Sequence, residues 1–457
     1  MEIKKNEEYI VNIIDNGFEG EGIAQINNFI IFIKGAIKGE KVRILILKVN
    51  SSYAFGKILE IIKKSEYRCE EDCNSYKRCG GCDLRHIKYE NTLEIKRNLV
   101  QNLVNKTLTN EIKVNNTIGM EKPFNYRNKA QYPVGLNKEG EPIFGVFANR
   151  THDIINTNNC KIQTKISEEI AQYIITFIKE NNIQVYNEKN NKGVFRHIIV
   201  KVGIRTNQVM CILVVNEENI KDENKLIKGL KEEFTEIKTI VKNINNKNTN
   251  VILGNKNIIL YGDGYIEDKL GDYTFKISTM SFYQINPIQT EKLYSLAIKK
   301  AELTGNETIL DLYCGIGTIG IFASKHVKQV YGIEIIPQAI EDAKENAKIN
   351  NIKNAEFMVG DVESTLSKLI NKRKIIPEIV FVDPPRKGLD NTTIQNLLKV
   401  EPKKIIYISC NPATLVRDLK IFEEKYEIKE ITPVDMFPWT KHCEVVTVLN
   451  LKQSTEI

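Results

Sequence analysis

The chain has 457 residues, 42% hydrophobic and 27% charged, with a formal net charge of +7 and a pI near 8.7. That length divides into two to four globular domains, and no run of roughly eighteen apolar residues offers a membrane-spanning helix. Lysine and arginine are interleaved with acids throughout, so the charge permits a polyanionic partner without demanding one.

The opening MEIKKNEEYIVN carries no apolar core of a secretory leader, so a cytoplasmic protein without disulfides is expected. Residues 6–60 then read as β. YIVNIID, FIIFIKGAI, EKVRILILKVN and AFGKILEIIKK are separated by glycine-bearing turns. Strands this short and closely spaced suit a small OB-type barrel over residues 1–60.

Residues 61–100 hold four of the nine cysteines, in RCEEDCNSYKRCGGCDLRH (68–86), followed by a helical stretch, KYENTLEIKRNLVQNLV. Without disulfides, such density signals metal binding or catalysis. Residues 101–274 mix strands and helices in an expected α+β central domain. A hairpin is expected over 193–216, turning at RTNQ.

From 275 to 457 short apolar runs alternate with helical stretches. TILDLYC, QVYGIEI, AEFMVGD, EIVFVDPP and KKIIYISC are the strands. This is the pattern of an α/β, Rossmann-like domain with a parallel sheet. Ligands of such sheets bind outside the carboxyl ends of the strands, so the residues there carry the functional reading.

After the first strand stands Gly315-Ile-Gly317-Thr-Ile-Gly320, and Glu334 ends the second. A G-x-G-x-x-G turn with a following acid suits a nicotinamide dinucleotide or S-adenosylmethionine. Asp311 ahead of the glycines favours the latter, whose sulfonium and amino groups seek carboxylates. After the fourth strand, Asp383-Pro-Pro-Arg386 fixes an acid and a turn; arginine in place of an aromatic residue speaks against adenine amino-methylation. After the fifth, Cys410 precedes a helix start that would lower its thiol pKa, as a nucleophile requires; a small buried cysteine is the alternative. The pattern alone does not distinguish Glu444 from a solvated acid.

Taken together, these motifs resemble the RNA 5-methyluridine methyltransferases that carry a TRAM domain and an iron–sulfur cluster. The resemblance spans nearly the whole chain and rests on the barrel, the cysteines, SFYQIN (281–286), DLYCGIGTIG, YGIEI, DPPRKG, SCNPATLVRD and FPWTKHCE. Trp439 stands where the family often has histidine. The resemblance implies that Gln284, Tyr313, Glu334 and Asp383 contact S-adenosylmethionine, that Cys410 is the nucleophile and that Glu444 is the base. It implies that Cys73, Cys79, Cys82 and Cys160 ligate a [4Fe-4S] cluster. The C-x5-C-x2-C spacing lacks the paired knuckles usual for zinc, though it does not exclude that metal. Cys160, in the polar stretch INTNNCKIQ, suits a ligand better than a core thiol. Cys69 is expected to be no ligand, and His86 a packing residue.

The implied partner is RNA, in particular 23S rRNA, because the family's tRNA-specific bacterial members generally lack both barrel and cysteines. No membrane or obligate protein partner is expected. Three competing functions remain at this point: a tRNA uridine-C5 methyltransferase, a nicotinamide-dependent iron–sulfur oxidoreductase, and an RNA-binding protein with a catalytically dead fold.

Overall fold

The computed structural model describes residues 3–149 and 151–453; the outermost residues of the expected first and last domains, 1–2 and 454–457, lie outside this range, as does position 150 of the central one. Six strands open the chain: β1 (Glu8–Asn12), β2 (Asp15–Asn16), β3 (Gly22–Ile26), β4 (Phe29–Lys34), β5 (Lys41–Val49) and β6 (Tyr53–Lys63). They pair in the order β1-β5-β6-β4-β3-β2. Alternation in FIIFIK buries Ile31 and Ile33 and leaves Ile30, Phe32 and Lys34 outward. Beyond β1 the chain crosses to β3, where Ile14 N–H donates to Ile23 O at 2.8 Å and closes the barrel.

The helix α1 (Tyr89–Thr107) runs past the expected boundary at residue 100. Its stripe continues through Val100 and Val104, which are buried in the core of the C-terminal domain. The segment after it lies along that domain's outer strand: Asn115 N–H donates to Ile431 O and Ile118 N–H to Pro433 O, both at 2.9 Å.

The central region holds β7 (Lys129–Leu136), β8 (Pro142–Phe147), β9 (Ile154–Asn156), α2 (Lys165–Glu180), β10 (Phe195–Val202), β11 (Val209–Val215), α3 (Glu223–Glu233), β12 (Ile237–Ile244) and β13 (Lys256–Tyr261). Its sheet has the order β13-β12-β11-β10-β7-β8-β9, and β10 and β11 form the expected hairpin. A separate hairpin, β14 (Tyr265–Leu270) and β15 (Tyr273–Ser278), leads into the last domain.

That domain comprises α4 (Pro287–Ala301), β16 (Thr308–Leu312), α5 (Thr318–Ala323), β17 (Gln329–Glu334), α6 (Pro337–Ile349), β18 (Ala355–Val359), α7 (Val362–Asn371), β19 (Ile379–Val382), α8 (Asn391–Val400), β20 (Lys404–Ser409), α9 (Pro412–Phe422), β21 (Tyr426–Val434) and β22 (Glu444–Leu451). The sheet order is β18-β17-β16-β19-β20-β22-β21; the first five are parallel, and β22 runs antiparallel between β20 and β21. No helix among the described residues is long and apolar enough to cross a membrane.

Candidate active site

Strand register assembles the site. Leu312 pairs with both Ile333 and Val382, so Tyr313, Glu334 and Asp383 emerge together at the carboxyl edge. Ser409 pairs with Val445, and the next residues outward on these antiparallel strands are Cys410 and Glu444. Five of the six expected residues of this domain therefore lie along one sheet edge. The sixth, Gln284, lies in the loop before α4, where its carbonyl accepts from Asn128 Nδ2 at 2.8 Å. The buried Tyr294 hydroxyl lies beside Gln284 and 3.4 Å from Thr318 Oγ1, which links this loop to the glycine turn.

The turn after β16 is built on positive φ: 64° at Tyr313, 53° at Gly315 and 80° at Gly317. A Cβ on Gly317 would come within 2.9 Å of the Phe357 ring, so this position requires glycine. A Cβ on Gly315 would meet nothing within 4 Å, which leaves open space over the turn. Gly315 N–H donates to Glu334 Oε2 at 3.2 Å, and Ile336 N–H to Oε1 at 3.0 Å, which fixes that carboxylate. The exposed Ile335 and Ile336 beside it offer an apolar face that sequence reasoning missed; the adjacent isoleucines after the acid were the available signal.

Asp311 is fully buried, and its Oδ2 accepts from Gly320 N–H at 2.8 Å. It holds the turn from behind. Its Oδ1 has no partner, and burial, with Asp383 and Glu334 nearby, raises its pKa to about 7. Burial raises Asp383 in the same direction. An unsatisfied buried carboxylate oxygen, open space over the turn and further carboxylates at its rim fit a cationic, ribose-bearing cofactor.

The thiol of Cys410 departs from expectation. The helix start was expected to lower its pKa, yet Cys410 is pushed up to about 11, first by burial and then by Glu444 and Asp383. Arg386 opposes them. Two carboxylates and partial burial outweigh a helix whose first residue, Pro412, comes two positions later. Glu444 is 4% exposed and also raised well above its ordinary value, by burial and Asp383.

The loop bearing Glu444 is held by residues distant in sequence. Asp435 accepts from Lys96 Nζ at 2.5 Å and from Tyr89 Oη at 2.8 Å, and both members of the ion pair are fully buried. Trp439 adopts a φ of 68° and donates from Nε1 to Pro123 O at 2.7 Å. Its carbonyl accepts from Asp83 and Leu84 N–H at 2.9 Å, and Arg85 lies 4.8 Å from its ring. Trp439 is thus a keystone; a lone tryptophan in FPWTKHCE was the only sequence signal.

Cys73, Cys79, Cys82 and Cys160 come together around one cavity of about 380 Å³. Cys82 and Cys160 also pack against the cluster containing Trp439. Burial pushes Cys82 up to about 12. Among the described residues no group of three or more His, Cys, Asp or Glu side chains is placed to hold a metal ion. Cys69 lies outside the cavity lining, with Sγ 3.6 Å from Arg85 O. His86 is buried against Tyr76, 2.6 Å away, and its pKa falls to about 4.

Fold and site together define a Rossmann-like, S-adenosylmethionine-dependent methyltransferase with an N-terminal barrel. The family model for tRNA (Uracil-5-)-methyltransferase matches residues 88–452, and the TRAM domain model matches residues 3–59. The chain belongs to the tRNA (Uracil-5-)-methyltransferase family and carries a TRAM domain. An uncharacterized RNA methyltransferase of Clostridium acetobutylicum is 50% identical over 98% of each chain. One from Staphylococcus aureus is 46% identical over 98% of this chain and 99% of its own. Among solved structures, the Pyrococcus abyssi tRNA (uracil-54, C5)-methyltransferase, in complex with S-adenosyl-L-homocysteine, is similar with a TM-score of 0.76. Its identity is 27%, over 96% of this chain and all of that one. The chain is an RNA methyltransferase, so the oxidoreductase and the catalytically dead readings fall.

Proposed function

We propose that the protein methylates C5 of a uridine in RNA, with Cys410 as nucleophile and Glu444 as base. The observation that carries this is the β20–β22 register, which brings these two residues side by side at the mouth of the cofactor cleft. Gln284, Tyr313, Glu334 and Asp383 hold S-adenosylmethionine, which supplies an electrophilic methyl group on a sulfonium. The Cys410 thiol gives up its proton to solvent as its sulfur bonds to C6 of uracil, and the displaced electron pair makes C5 nucleophilic. Once C5 carries the methyl group, Glu444 removes its proton. The returning electron pair restores the double bond and expels the thiolate. The high pKa of Glu444 makes it a stronger base than an ordinary carboxylate. Arg386 is the cation that opposes the two acids. The target base leaves its stack to reach this edge.

Cys73, Cys79, Cys82 and Cys160 hold a [4Fe-4S] cluster in this reading; four thiols of soft donor character around one cavity support it. Methyl transfer moves no electrons through such a group, so its contribution is to tie residues 73–82 and Cys160 to the Trp439 loop. The domain limits proposed are 1–60, 61–100, 101–274 and 275–457, with the α1 helix crossing the second boundary.

The proposed substrate is 23S rRNA, supported by the joint presence of barrel and cysteines. A tRNA reading is favoured by one observation: the Pyrococcus abyssi tRNA enzyme aligns over nearly the whole chain.

The test of the chemistry is a 5-fluorouridine RNA. Fluorine replaces the proton that Glu444 must remove, so a covalent adduct is expected with the wild type and none with Cys410→Ala. Glu444→Gln is expected to accumulate adduct on ordinary RNA. Turnover in Cys410→Ala would overturn the mechanism. Methylation of a 23S rRNA fragment with a transfer RNA T-arm untouched is the expected substrate result; the reverse would establish the tRNA reading.

A further inference from the structure

The loop after β19 carries Asp383 and Arg386, and it has few backbone bonds of its own. Pro384 and Pro385 have no N–H to donate. Among the described residues, the backbone of 384–389 closes one turn, with Gly388 N–H donating to Pro385 O at 2.9 Å. The carbonyls of residues 386, 387 and 389 and the N–H of 389 are met instead by side chains of α9 and its cap. Asn411 Nδ2 donates to Arg386 O at 3.0 Å. Thr414 Oγ1 lies 3.2 Å from that carbonyl and 3.1 Å from Asn411 O, which share its one proton. Arg417 Nη2 donates to Lys387 O at 2.9 Å and to Leu389 O at 3.3 Å. Asp418 Oδ2 accepts from Leu389 N–H at 2.9 Å and from Tyr407 Oη at 2.7 Å. Residues 411, 414 and 418 are three and four apart, which puts them on one face of the helix.

This clasp is tight. Gly388 has a φ of 77°, and a Cβ there would come within 2.6 Å of both Arg417 Nη2 and Asp418 Oδ2. The buried Asp418 also accepts from Arg417 Nε at 2.8 Å through Oδ1, which fixes the half-exposed guanidinium over the loop. The helix itself is seated by other residues: Leu415, Val416, Leu419 and Phe422 are buried in the core of the C-terminal domain. What the polar bonds fix is therefore the loop. Cys410 immediately precedes Asn411, so the segment that ends in the nucleophile also grips the carbonyl of Arg386. Arg386 lines a cavity together with Phe437 and His442, from the loop before Glu444. The charged groups acting on the thiol are Glu444 on β22, Asp383 after β19 and, against them, Arg386.

We propose that Thr414 and Arg417 are positioning residues of the methyl-transfer site, which act through loop 386–389 to keep the Arg386 guanidinium beside Cys410 and Glu444 as the sulfur bonds to C6. The inference rests on the RNA uridine methylation reading. A cation held there favours the thiolate over the thiol, and its pull weakens with distance. Release of the carbonyls of 387 and 389 lets the loop swing and carries Arg386 away. Asp383 stays in place, because its own N–H is held by the strand edge, at 3.4 Å from Leu312 O.

The experiment uses full-length protein prepared without oxygen. Iodoacetamide is applied across a range of pH and the rate is read on the peptide carrying Cys410, with no RNA present. Adduct formation with the 5-fluorouridine RNA is measured in parallel. If the wild type forms no adduct, the functional reading fails, whereas the alkylation profile tests the clasp by itself. Arg417→Gln is expected to slow alkylation of Cys410 at fixed pH by about tenfold, as a rise of about one pKa unit does, and to slow adduct formation by a similar factor. Arg386→Gln is expected to lose as much. The double variant Arg386→Gln/Arg417→Gln is expected to be no slower than Arg386→Gln alone, because Arg417 acts through Arg386. Thr414→Val is expected to slow both reactions less, and Thr414→Ser to restore them. S-adenosylmethionine affinity is expected to stay at the wild-type value in Arg417→Gln. A wild-type alkylation profile in Arg417→Gln would overturn the proposal. So would losses that multiply in the double variant, or cofactor affinity lost in step with the rate, which would make Arg417 a general prop of the sheet edge. Failure of Thr414→Ser to recover what Thr414→Val loses would overturn the part given to Thr414.

Discussion

The proposed catalytic edge and the cysteine cavity are assembled in opposite ways. At the edge, hydrogen-bonded register places Tyr313, Glu334, Asp383, Cys410 and Glu444 side by side, and each position is fixed by strands buried on both faces. The cavity is assembled by loops, with three cysteines from residues 73–82 and a fourth from the segment after β9. A sheet edge keeps its geometry without a ligand, because the ladder sets it. A loop cavity depends on what bridges it, since loops have few backbone bonds of their own.

The largest effect that separates the two is expected from Cys160→Ser. Removing this proposed ligand, which would join the segment after β9 to residues 73–82, is expected to release iron and to lower the melting temperature by about 10 °C, as loss of about 3–5 kcal/mol does in a domain of this size. S-adenosylmethionine affinity, measured by calorimetry, is expected to be unchanged, because no strand of the edge is touched. Iron retained in this variant, or a cofactor site lost with the metal, would break the distinction. Stoichiometric zinc without sulfide in anaerobic protein would refute the cluster.

The same difference explains what was legible in the sequence. Strand-end motifs announce themselves: an apolar run, then Gly315 and Gly317, or Asp383, or Cys410. The fold class and the edge residues could therefore be read in advance. The nearness of Cys410 and Glu444 was expected only through the family resemblance, because it depends on which strand lies beside β20. The thiol pKa was misread for the same reason: the helix start is visible in sequence, whereas the carboxylates facing it are not. Asp311 was read as favouring a sulfonium cofactor; one of its oxygens is spent on Gly320 behind the turn and the other is left without a partner. The domain limit placed at residue 100 falls inside α1, because that helix packs into a core built by residues beyond 310. Trp439 and Lys96 were missed because their roles exist only through long-range contacts.

A smaller effect sharpens the electrostatic side of the comparison. Asp311 holds its proton up to about pH 7 in the fold, above its ordinary carboxylate value of 3.8, and Asp383 is raised as well. A folded-state pKa raised in this way means that the ligand-free fold loses stability as pH rises from about 4 toward 7. A cationic cofactor favours the ionised forms, so its affinity is expected to rise with pH across that range, by about tenfold between pH 6 and 7.5. Binding is expected to release protons, measured as a heat that varies with the ionisation enthalpy of the buffer. Asp311→Asn is expected to flatten the profile. A wild-type affinity that falls with rising pH would contradict the assignment of these carboxylates to the cofactor cleft.

The smallest effect is expected from Cys69→Ser, and it tests whether proximity in sequence makes a ligand. Cys69 lies four positions from Cys73, as near in the chain as any other cysteine of the group. If loops could offer any nearby thiol to the cavity, it would serve as well as Cys79. The fold directs it elsewhere. Its N–H donates to His86 O at 3.1 Å, and its Sγ turns toward Arg85 O. That pairing forms a short bridge between Arg68 and Ile87, which holds residue 69 outside the cavity lining. Serine preserves the backbone bond and replaces a weak donor with a stronger one, so stability is expected to change by less than about 0.5 kcal/mol. Iron per chain, sulfide per chain and turnover are expected to match the wild type. Loss of iron in Cys69→Ser, with Cys160→Ser retaining it, would exchange the roles of the two cysteines and make the cavity a product of sequence neighbourhood after all.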